Sequence, residues 1–193
     1  TSSVCIEQGV NRTEKIIILF EVFEKTYIHT ICFDHAPGKE DAVGWAVMGE
    51  IAKISEPLCG IEILASQSDD RFSDFTPFLN VLTRELPSTL PVWGALADSQ
   101  TWPDHTYVFS KNYISSAGLA IRVYTGDISI MLNHVLGFRP LSRPLTVTAM
   151  DGPMIIKELD HKPAVYYYDK YIHTPDFQEQ SLPFPLLQLA DGY

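Results

Sequence analysis

Arg139 and Arg143 stand four apart in a chain of formal charge −10, and each is followed by a proline, Pro140 and Pro144. Two planar guanidiniums so close together suit a bidentate clamp on a carboxylate, the group an amino-acid sensor would recognise. The competing reading has them capping turn carbonyls or pairing with Asp127 or Asp151. Asp98 and Ser99 close a strand-like run and start a loop, where α/β sheets often carry ligand sites. They would take a ligand's amine and polar edge, unless Asp98 merely caps its turn. None of the six histidines pairs with another at i, i+4, so surface or capping roles are expected for them. Cys5, Cys32 and Cys59 are odd in number and lack C-x-x-C spacing, which implies neither a disulfide framework nor a zinc site. No G-x-S-x-G, H-E-x-x-H, G-x-G-x-x-G or P-loop pattern occurs, and a noncatalytic protein is expected.

Composition narrows the field further. At 193 residues, with 46% hydrophobic and 20% charged residues, the chain can bury a real core. A pI near 4.9 repels nucleic-acid phosphate, so no nucleic-acid partner is expected. No window approaches the ~20 apolar residues of a membrane span, and the chain reads as soluble and cytoplasmic.

The elements that must position these residues follow from pattern. Ile16–Glu24 and Thr26–Phe33 are β-rich runs with a short gap, which predicts a hairpin. After His35-Ala36-Pro37-Gly38, a helix over Glu40–Ile54 would align Val43, Val47, Ile51 and Ile54. Ile61–Ala65 reads as a strand. Ser73 or Asp74 would cap a helix over Phe75–Leu86 with Phe75, Leu79, Leu82 and Leu86 on one face, and Leu90–Ala97 returns as a strand. Strand, helix and strand in that order need a β-α-β crossover. From Thr106 the pattern becomes successive strands with Gly/Asp turns, including Thr125-Gly126-Asp127, which favours antiparallel pairing. Leu132 to His134 reads as a strand end. Leu145–Met150 and Met154–Leu159 flank Asp151-Gly152-Pro153, whose Asp-Gly pair suits the positive φ of a tight hairpin. Pro163 opens a helix running to His173, and four tyrosines, Tyr166 to Tyr168 and Tyr171, lie on it. Neighbours on a helix point about 100° apart, so they cannot all be buried. The expected class is α+β, a largely antiparallel sheet or sheets covered by helices with one crossover.

The run GFRPL…VT…DG…ELD.KPA..YY, within Leu132–Tyr168, resembles the N-terminal half of the FIST domain, the sensory module shared by F-box and bacterial signal-transduction proteins. Leu90–Asp98 (LPVWGALAD), Thr106–Ser110 (TYVFS) and Ser116–Gly126 (SAGLAIRVYTG) are similar to further family strands, so the resemblance covers roughly the second half of the chain. Three residues depart from it: Trp93 stands for the first glycine of a pair, Pro153 for an asparagine, and His161 for the glycine of L-D-G. The resemblance implies a FIST N-terminal-type domain over 1–181, incomplete at its start, with 182–193 as a connector toward a second half. It implies a noncatalytic sensor of a small amino-acid-like or carboxylate ligand, relaying to a signalling partner or output domain. Asp98, Ser99, Arg139, Arg143 and Thr148 of the V-T pair are its expected ligand-binding residues. No cofactor is expected. The alternatives are a haem-bound nitric oxide sensor with His134 or His161 as axial ligand, and a structural adaptor without ligand.

Overall fold

The computed structural model describes residues 5–7, 10–12, 18–34, 38–66, 75–97, 106–133, 140–152 and 155–172. The chain divides into two compact units, Thr1–Asn133 and His134–Tyr193.

The first unit runs β1 (Cys5–Glu7), β2 (Val10–Arg12), β3 (Thr26–Asp34), α1 (Glu40–Ile51), β4 (Leu58–Ala65), α2 (Thr76–Glu85), β5 (Val92–Leu96), β6 (Val108–Ser110), β7 (Tyr113–Ser115) and β8 (Gly118–Gly126). Strands β1 and β2 form a small hairpin, as do β6 and β7. The main sheet has the order β3-β8-β4-β5. Its β4–β5 pair is parallel with α2 between, the predicted crossover, and its other pairs are antiparallel.

Strand β8 lies at the centre because alternate residues on it are fully apolar. Leu119, Ile121 and Val123 are buried with Ile61 and Ala65 of β4, Val47 and Ile51 of α1, and Phe78, Leu82 and Leu86 of the α2 region. Acidic Glu40 and Asp41 occupy the first turn of α1, where they complement the helix dipole. Helix α2 is rotated from the face expected for it. Phe78 and Val81 are buried beside Leu82, whereas Leu79 is 44% exposed. Phe78 and Leu82, four apart, stack on one stripe, and Leu79 lies about 100° away from Phe78. The expected caps Ser73 and Asp74 lie outside the described residues.

The hairpin predicted for Ile16–Glu24 with Thr26–Phe33 does not form among the described residues. Residues 18–25 lie in no strand, and β3 instead pairs with β8 at all nine positions, from Thr26↔Gly126 to Asp34↔Gly118. A buried apolar strand of equal length is a better partner than a short neighbour whose Phe20 and Val22 point to solvent. Nor do 128–133 continue a strand. Strand β8 ends at Gly126, whose φ is +94, and Met131 is 93% exposed.

The second unit holds β9 (Val147–Asp151), β10 (Ile155–Leu159), β11 (Lys162–Pro163) and α3 (Ala164–Ile172). Strands β9 and β10 pair antiparallel with Ile155 opposite Asp151, as the Asp-Gly turn predicts, and Gly152 has φ +64. Helix α3 begins directly after Pro163 and packs against β10 and β11. Of its tyrosines Tyr167 is buried, while Tyr166 and Tyr171 are about two-fifths exposed.

Candidate functional site

The family-like turn of the second unit uses its functional groups on itself. Strands β10 and β11 join through Asp160-His161, with Leu159 opposite Lys162. Both turn residues have positive φ, +46 and +61, the geometry of a type I′ hairpin. The Asp160 N–H donates to the Thr146 carbonyl at 2.8 Å, and Asp160 Oδ1 accepts from the Thr146 N–H at 2.8 Å. Arg143 Nη2 donates to Asp160 Oδ2 at 2.5 Å, and its Nη1 donates to the Pro144 carbonyl at 2.9 Å. The Thr148 hydroxyl accepts from the His161 N–H at 2.9 Å. Arg143 therefore pairs with Asp160, rather than with the Asp127 or Asp151 considered from sequence; Asp151 pairs with Lys157 at 3.0 Å. The Thr146 N–H, followed by the Arg143 guanidinium, holds the Asp160 carboxyl below the usual carboxylate range.

His161 is exposed on this turn. One open hollow of the first unit, lined by Glu40, Val43, Phe75, Phe78 and Leu119, is too shallow to hold even a water molecule. Asp98, Ser99, Arg139 and His134 lie outside the described residues.

A second polar constellation stands on the main sheet, on the face away from the helices. Where Leu119, Ile121 and Val123 point into the core, Ala120, Arg122 and Tyr124 point the other way. Register places Glu62 of β4 opposite Arg122, and Trp93 of β5 opposite Glu62. Arg122 Nη1 donates to Glu62 Oε2 at 2.7 Å, and its Nη2 donates to Glu21, carried by the strandless segment 18–25. The Tyr124 hydroxyl donates to the same Glu62 oxygen at 3.3 Å. The Arg122 guanidinium carbon lies 5.2 Å from the Tyr124 ring centre, the Trp93 ring stands 5.5 Å from it, and Phe23 meets it edge-on at 6.4 Å. The three charged side chains are partly sheltered, with 28% of Arg122, 19% of Glu62 and 34% of Glu21 exposed.

The electrostatics follow from this placement. Burial, then the Glu62 charge, pushes the Tyr124 phenol up to about 12. Burial works against the Arg122 charge, but the Glu21 hydrogen bond together with Tyr124 and the two carboxylates outweighs it, and its pKa rises. A permanently charged fork with a carboxylate on each side and the Tyr124 ring beside it can recognise a planar anion that replaces one of those carboxylates, and the cation or ring attached to it. Sequence reading passed over Arg122, Glu62 and Glu21. The available signal was a charged residue in the middle of each of two apolar runs, IEILA and GLAIRVYTG. That the two face one another appears only once the β4–β8 register is known.

The helix-covered mixed sheet and the hairpin unit are of the α+β class. The chain belongs to the FIST family: the FIST N domain model matches residues 1–162. That match takes in the first half of the chain, where motif reading found no likeness. No curated protein and no solved structure matches it. One departure from the family pattern and one retained glycine have structural correlates. Trp93 contributes the indole beside Tyr124, and the retained Gly94 is required because a Cβ there would lie 1.8 Å from the Ile63 carbonyl oxygen. Among the described residues no helix is long and apolar enough to cross a membrane.

Proposed function

We propose that this FIST domain is a noncatalytic cytoplasmic sensor that binds a small carboxylate-bearing, amino-acid-like ligand and relays the event to a signalling partner or output domain. The observation that carries this reading is Arg122, held half-sheltered between Glu62 and Glu21 with Tyr124 and Trp93 alongside. Glu62 holds one side of this fork through Nη1, and the Nη2 side, now on Glu21, can pass to a ligand carboxylate that takes Glu21's place, with Tyr124 and Trp93 limiting which ligands fit. Arg143 and Thr148 support the hairpin of the second unit in this reading, because their polar groups are engaged there. Relay requires that the ligand bind one arrangement of the domain better than another.

The test is a thermal-shift screen of amino acids and organic acids, followed by calorimetry on Arg122→Lys, Arg139→Lys and Arg143→Lys. Lysine keeps the charge and loses the fork, so affinity falls in Arg122→Lys while the fold persists. Retained affinity in Arg122→Lys, with loss in either of the other two, moves the ligand to the Arg/Pro turn. Binding of nothing favours the adaptor reading, and a Soret band that survives gel filtration favours haem.

A further inference from the structure

We propose that Glu21 occupies the place of the ligand's carboxylate, and that a zwitterionic ligand of the amino-acid class displaces it and releases the segment 18–24. The inference rests on the reading of Arg122 as the ligand's counter-ion. The two carboxylates on this guanidinium are held in different ways. Glu62 is fixed by the β4–β8 ladder, directly opposite Arg122. Glu21 sits on a segment in no strand, and over 20–23 the side chains alternate outward and inward: Phe20 and Val22 are 84% and 92% exposed, whereas Glu21 and Phe23 face the sheet. Among the described residues, the Glu21–Arg122 ion pair and the edge of Phe23 on Tyr124 tie this segment to the sheet face.

A ligand carboxylate can take over the Glu21 hydrogen bond without change of charge or geometry at Arg122, so the exchange costs little beyond a partly exposed pair. Glu62 and the incoming carboxylate together outnumber the single guanidinium, as Glu62 and Glu21 do now, and an ammonium group beside the ligand carboxylate offsets that excess. The faces of Trp93 and Tyr124 favour a cation next to the anion. Displacement has a ready consequence: Phe23, whose ring now lies edge-on against Tyr124, leaves the sheet face and joins the already exposed Ile18, Leu19, Phe20 and Val22 on the freed segment.

The experiment titrates the full chain and its Glu21→Ala variant with alanine and with propionate, probes matched except for the ammonium group, and records amide hydrogen exchange over residues 18–24. Removing Glu21 removes the internal competitor, so alanine binds Glu21→Ala about fivefold more tightly than wild type. Alanine binds more tightly than propionate in both proteins, because Glu62 stays beside the ligand carboxylate in each. Alanine also speeds exchange over 18–24 in wild type toward the rate seen in unliganded Glu21→Ala. Equal alanine affinity in the two proteins, or equal exchange rates without ligand, overturns the displacement and leaves the Arg122 site standing. Binding of neither probe to either protein overturns the site reading itself, and the displacement with it.

Discussion

Replacing His161 by glycine should stabilise the second unit. His161 stands where the family has glycine, and its φ is +61. An L-residue with a Cβ pays roughly 1–2 kcal/mol in the left-handed region, with histidine toward the lower end because it is enriched there. Glycine removes that cost and adds about 0.4–1 kcal/mol of unfolded-chain entropy. The exposed His161 side chain contributes little packing, and its N–H keeps the bond to Thr148 whichever residue is present. The net gain is about 0.5 kcal/mol, or about 1–2 °C in melting temperature for a chain of this size. The chain has two compact units, so the sharper assay is local: exchange of the Thr146 and His161 amides, both bonded within this turn. Both should slow in His161→Gly and not in His161→Ala, which removes the imidazole but keeps the Cβ. Equal protection in glycine and alanine variants would refute the claim that backbone strain is the relevant quantity.

Two further outcomes are expected. Tyr113 and Tyr124 are each pushed up to about 12, with burial the leading cause, whereas an unfolded tyrosine ionises near pH 10. Their contribution to stability is complete below about pH 10 and lost as pH rises through about 12. Phenolate absorbance should therefore show two of the nine tyrosines ionising late and together with unfolding, and uniform titration near pH 10 with the fold intact would contradict this. Gly94→Ala should cost about 3 kcal/mol or more, because the added Cβ meets a backbone oxygen that cannot rotate away. Soluble, normally melting Gly94→Ala protein would show that the β4–β5 approach is looser than described.

The readable parts of this fold were those set by near neighbours. Asp151-Gly152 announces its hairpin because the positive φ the turn uses falls on Gly152, a local property of that residue. Likewise the crossover follows from the order of β4, α2 and β5. What stayed hidden depends on distant pairing. Strand β3 looks like half of a local hairpin until β8 is available, and their first contact joins Thr26 to Gly126. The rotation of α2 toward Phe78 likewise depends on the surface that α1 and the sheet present to it. Arg122 was unreadable as a site for the same reason, since its partners Glu62 and Glu21 come from two other parts of the chain.

This separation bears on how the family motif should be used. The most family-like residues of the second unit, Arg143, Thr148, Asp160 and their neighbours, spend their polar groups on building one tight turn. A motif of that kind marks a fold, because a strained two-residue connection tolerates few side chains, and it carries no information about what the fold binds. The polar face of the main sheet has the opposite character. Its backbone is ordinary strand, so almost any residue is sterically allowed at positions 62 and 122, yet a carboxylate and a guanidinium occupy them where an apolar strand needs neither. Charge that the fold does not require, placed where burial makes it costly, is better evidence of a ligand than a motif that the fold does require. On that ground the ligand should be sought first at Arg122.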